Sequence, residues 1–75
     1  MRYRVVFEWQ SEDSAMSDVY NCCDEQQARE KFDELRDSIV HAVDPDGSEV
    51  IDEPSHYSII NRQQGVFAYV RLLFD

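Results

Sequence analysis

Polar and apolar residues alternate from Arg2 to Trp9. Tyr3, Val5, Phe7 and Trp9 fall on one face, and Arg2, Arg4, Val6 and Glu8 on the other. A period of two with β-branched and aromatic residues predicts a strand over residues 2–9. Residues 10–15, QSEDSA, lack an apolar period and read as a turn. Residues 16–22 hold Val19, Tyr20 and Cys22 and predict a second strand, hairpinned to the first.

From residue 24 the period changes. Ala28, Phe32, Leu35, Ile39 and Ala42 recur at steps of 4, 3, 4 and 3, one stripe of a helix over residues 24–42. Asp24 is the expected N-cap, with Gln27 at the capping-box distance. Glu25 suits the positive end of the helix dipole, and His41 the negative end. Pro45 cannot continue a helix and restricts Asp44, so the helix ends near Val43. Residues 44–55, DPDGSEVIDEPS, read as a long loop. Residues 56–62 and 66–74 predict two more strands, joined by Gln63-Gln64-Gly65. The last is apolar on both faces and belongs in the middle of a sheet.

The chain is therefore expected to be a single α+β domain spanning residues 1–75. Its architecture is a four-stranded antiparallel sheet (β-β-α-β-β) with one amphipathic helix packed on one face. Phe32, Leu35 and Ile39 should pack on Val5, Phe7, Ile59 and Val70. The second sheet face is less polar than a solvated face should be, with Tyr20, Tyr69, Leu73 and either Tyr57 or Ile60 expected there. Either the 44–55 loop covers it or another chain does. Strand order stays open, since the two hairpins can join in either arrangement.

Charge narrows the function classes. Sixteen acids against seven bases leave −9 over 75 residues, and 43% hydrophobic content separates the chain from a disordered acidic tail. So acidic a surface is a poor direct binder of nucleic acid or anionic lipid. No apolar run is long enough to span a membrane, and no secretory signal is recognisable, so a cytoplasmic location is expected. Cys22 and Cys23 are adjacent and badly placed to bond each other. They are expected to be reduced thiols, one packed and one near the surface.

Chemical motifs are sparse. Asp44, Asp46 and Ser48 have the spacing of the first ligands of a calcium loop. The glycine then falls at position 4 instead of 6, and Ser55 stands where a bidentate glutamate belongs. Cys22, Cys23, His41 and His56 lack zinc-ligand spacing. Two glycines cannot form a phosphate-cradling loop, and no nucleophile sits in a recognisable catalytic context. The expectation is a non-enzymatic protein without metal or cofactor.

The acids themselves are unevenly spread. Glu8, Glu12, Asp13, Asp18, Asp24 and Glu25 form one segment without a base. Asp44, Asp46, Glu49, Asp52 and Glu53 form another. Both read as largely loop. Such a field repels nucleic acid and attracts basic clefts. With aromatic anchors at the rim, Trp9, Tyr20 and Tyr57, these segments are the expected partner-binding residues. The competing reading takes nine Asp, seven Glu, six Arg and one Lys as a high-salt or GC-rich background. The chain is then a small self-associating structural or adaptor module, a monomer or weak homodimer.

A short, strongly acidic β-β-α-β-β chain without catalytic motifs resembles the small phage- and mobile-element-encoded inhibitors, anti-CRISPR proteins and other DNA mimics. VYNCCDEQQAREKFDELRDSI is similar to their strand-then-helix segment. MRYRVVFEW is similar to the opening strand of HicB-type antitoxins, but the glycine-rich third-strand region of that family is absent. The anti-CRISPR resemblance implies a basic nucleic-acid-binding partner, a CRISPR effector subunit whose Lys/Arg-lined channel holds target DNA. The acidic segments would block that channel.

Overall fold

The computed structural model describes residues 2–74. Strands β1 (Tyr3–Gln10) and β2 (Ala15–Cys22) form the N-terminal hairpin. Helix α1 (Glu25–Ala42) follows, then β3 (Glu49–Glu53), β4 (His56–Asn61) and β5 (Val66–Phe74). All five strands are antiparallel neighbours in the order β2-β1-β5-β4-β3. β5 is central, as its two apolar faces required.

The sheet has five strands where four were expected. Residues 49–53 are an edge strand paired with β4, with Val50 opposite Ile59 and Asp52 opposite Tyr57. Only residues 44–48 and 54–55 remain as turns. Glu-Val-Ile-Asp-Glu is acidic and bounded by prolines, so its hydrophobicity conceals it. An edge strand pairs on one side only and tolerates that composition.

The helix begins as its sequence dictates. Asp24 Oδ1 accepts the Gln27 backbone N–H at 2.8 Å. The Gln27 side chain reaches back one residue further than a capping box requires, to the Cys23 N–H at 3.4 Å. At the other end the Val43 N–H bonds to the Ile39 carbonyl, and the His41 Nδ1–H donates to the Asp37 carbonyl at 2.8 Å.

The helical stripe covers one face of the sheet. Ala28, Phe32 and Ile39 pack with Val5, Phe7, Ile59, Val66, Ala68, Val70 and Leu72, and Leu35 flanks them. Ile59, Val5 and Val70 are fully buried, each able to contribute about 1.5–3 kcal/mol through removal from water. Tyr57 also belongs to this core, at 3% exposure. Tyr20 lies on the helix side too, opposite Val5, with the Lys31 ammonium 4.3 Å from its ring centre. It does not sit on the second face, where its expected neighbours Tyr69, Leu73 and Ile60 do lie.

One buried polar side chain organises the far end. Asn61, 4% exposed, donates from Nδ2 to Ser48 Oγ at 2.9 Å and to the Asp44 carbonyl at 3.3 Å. Its Oδ1 accepts the Gln64 N–H at 2.8 Å. It thereby ties the turn after the helix to the β4–β5 turn, where Gly65 takes a φ of 68°.

Candidate partner-binding surfaces

Topology decides where the acids go. β1 ends, β2 begins, α1 ends, β3 begins and β4 ends at one end of the sheet. Glu12 and Asp13 occupy the β1–β2 turn there. Asp44 and Asp46 occupy the turn after the helix, and Glu49 opens β3. The C-terminal end of the helix adds its partial negative charge to this end. Residues from both acidic segments therefore share one end of the sheet, where Arg62 pairs with Glu49 at 3.0 Å.

Local bonding fixes these carboxylates differently. Asp44 Oδ1 accepts the Asp46 N–H at 2.9 Å, and Ser48 Oγ donates to the Asp44 carbonyl at 2.6 Å. The Asp-Pro-Asp-Gly-Ser run is thus a side-chain-closed turn. Among the described residues, no group of three His, Cys, Asp or Glu gathers as metal ligands would. The Glu12 side chain lies over Gly65, its Cγ 3.6 Å from where a Cβ would stand there. Beside it, Gln10, Ile60 and Phe67 line a shallow notch.

The other predicted acids do not join this end. Asp18 is exposed on edge strand β2. Asp24 is committed to the helix cap, and Glu25 to the first helical turn. Asp52 makes a two-oxygen contact with Arg36 Nη2, at 2.8 and 2.9 Å. The Arg36 guanidinium also lies 5.3 Å from the Tyr57 ring centre. Glu53 ends β3 at the opposite end. The two acidic segments are not largely loop: much of the first is strand, and Glu49, Asp52 and Glu53 are in β3. Edge strands β2 and β3 are separated by four strand spacings, roughly 19 Å.

The aromatic rim expected from the sequence does not form. Tyr57 is a core residue on the helix side of a non-edge strand and cannot anchor a partner. Burial raises its hydroxyl pKa, nearby Asp52 adds to the rise and Arg36 opposes it. Trp9 and Tyr20 are half-buried against the core. Trp9 borders a small apolar notch with Met16, Ile39 and Ala42.

A second surface emerges on the sheet face away from the helix. There Tyr69 is central. Phe67 meets it edge-on with ring centres 5.9 Å apart, and His56 stacks on it at 6.1 Å. The Arg71 guanidinium lies 5.8 Å from its centre and donates from Nε to His56 Nδ1 at 3.3 Å. The hydroxyl bonds to Glu8 across the β1–β5 pair, which raises its pKa, with partial burial adding to the rise. The alternation of Phe67, Tyr69, Arg71 and Leu73 indicated this face. Its electrostatic organisation needed the strand order.

Cys22 is partly buried and Cys23 exposed, both as free thiols. Among the described residues, no helix is long and apolar enough to cross a membrane. The chain matches no known protein family, no curated protein sequence and no solved structure.

Proposed function

We propose that this protein is a non-enzymatic acidic inhibitor that docks on a basic groove of a nucleic-acid-binding protein. One observation carries the reading: acids from two separate segments, Glu12 and Asp13 with Asp44, Asp46 and Glu49, share one end of the sheet with the helix C-terminus. A partner groove lined by Lys and Arg would be attracted to that end and compete there with phosphates. The partner class follows from the resemblance of format: a CRISPR effector whose channel holds target DNA. The protein would occupy that channel in place of the duplex.

The test is competition. Guide-loaded CRISPR effector complexes of several types are mixed with labelled target duplex and increasing amounts of protein. The comparison is a variant carrying Glu12→Gln, Asp13→Asn, Asp44→Asn, Asp46→Asn and Glu49→Gln. These amides keep side-chain oxygens as acceptors, including the one that closes the Asp44 turn. Displacement of duplex by the wild type, at least tenfold weaker with the variant, is the expected result. Equal displacement by both would refute the acidic end as the docking site. No displacement from any complex would refute the CRISPR target class.

A further inference from the structure

We propose that the sheet face away from the helix binds a second copy of this chain, the two sheets stacking face to face. Val6, Ile51, Ile60, Phe67, Tyr69 and Leu73 place apolar side chains on this face from four strands. No element of the described residues packs over it, because the single helix covers the other face. Ile51 is 50% exposed.

Charge selects the occupant. On this face the strands carry Arg4 and Arg71 against Glu8, Glu49 and Glu53, so 2 − 3 = −1 of the −9 for the whole chain. The remaining surface is where the acidity lies. A basic partner is drawn to that acidity and not to the sheet. A second copy is repelled by it and meets least repulsion at the sheet. The face is also electrically graded along the strands. Arg4, Arg71 and Glu53, net +1, lie toward the end where β5 finishes; Glu8 and Glu49, net −2, lie toward the other. Two copies stacked head to tail set each basic half over the partner's acidic half.

Size sets the strength. Four strand spacings by about seven residue steps give roughly 19 by 23 Å, on the order of 440 Å² in projection per copy. The pair then falls in the range of weak, reversible interfaces. Dimerisation is expected at concentrations of about 10 µM to 1 mM. It does not depend on the acidic docking reading, and either can fail without the other.

Sedimentation equilibrium of the full chain from about 1 µM to 1 mM tests it. The expected mass rises from 8.8 kDa toward twice that value. The Ile51→Lys variant should need at least tenfold more protein to dimerise, with unchanged circular dichroism. Val50→Lys, on the same strand but the helix side, should dimerise like the wild type. Raising salt to about 0.5 M should leave the dimer intact or strengthen it, because repulsion between two −9 chains is screened. A mass fixed at 8.8 kDa through 1 mM overturns the proposal. So does equal dimerisation of Ile51→Lys, or dissociation by salt.

Discussion

Replacing Asn61 by alanine removes three hydrogen bonds at once: Nδ2 to the Asp44 carbonyl and to Ser48 Oγ, and Oδ1 from the Gln64 N–H. Each such bond is worth about 0.5–1.5 kcal/mol net, and partners left buried without replacement cost more. The expected loss is about 2–4 kcal/mol. A domain of this size holds roughly 4–11 kcal/mol in total. At about 4–8 °C per kcal/mol, the thermal midpoint should fall by about 8–32 °C. Thermal unfolding followed by circular dichroism measures this. Ser48→Ala in the Asn61→Ala background should cost less than Ser48→Ala alone, because the two share a bond. A fall below about 4 °C, or strictly additive effects, would refute Asn61 as the tie between the two turns.

Further outcomes follow from other residues. Asp24→Ala should cost about 1 kcal/mol by removing the acceptor for the Gln27 N–H, read as a lower urea midpoint. Ile59→Ala should cost about 2–5 kcal/mol, whereas Ile51→Ala should stay within about 0.5 kcal/mol in dilute monomer, since Ile59 is fully buried and Ile51 half-exposed. Alkaline stability should reflect Tyr57 and Tyr69, whose folded pKa values are raised. The folded state holds these protons more tightly, so their contribution is intact below about pH 10 and disappears as pH rises through the raised values. Tyr69→Phe should make the alkaline decline shallower; an identical decline would exclude the Glu8 bond as its cause.

Much of the architecture was legible because period and end signals coincide. β1 and β5 alternate, the α1 stripe repeats without a break, and Asp24 and Pro45 bracket the helix. β3 was not legible, since Val50 and Ile51 are adjacent, give no period of two, and sit among acids between two prolines. Tyr57 was misplaced because both faces of His56–Asn61 carry apolar residues. Only pairing with β5 shows that Tyr57 shares the face of Val70 and Ile59. Asn61 shows only its bond to the Gln64 N–H locally, three residues on; Asp44 and Ser48 lie 17 and 13 residues back. The acidic segments were visible from composition. That Glu12, Asp13, Asp44, Asp46 and Glu49 share one end while Asp52 pairs with Arg36 depends on strand order, which no single segment encodes.

The proposed function turns on whether the acidic end recruits a basic partner. The most direct measurement is affinity capture from host lysate at low salt, with wild type beside the variant neutralised at Glu12, Asp13, Asp44, Asp46 and Glu49. Repetition at about 0.5 M salt shortens the screening length to a few ångströms. The expected result is a nucleic-acid-binding protein held by the wild type at low salt, released at high salt and absent from the variant. Capture of no such protein, or equal capture by both chains at both salts, would contradict it.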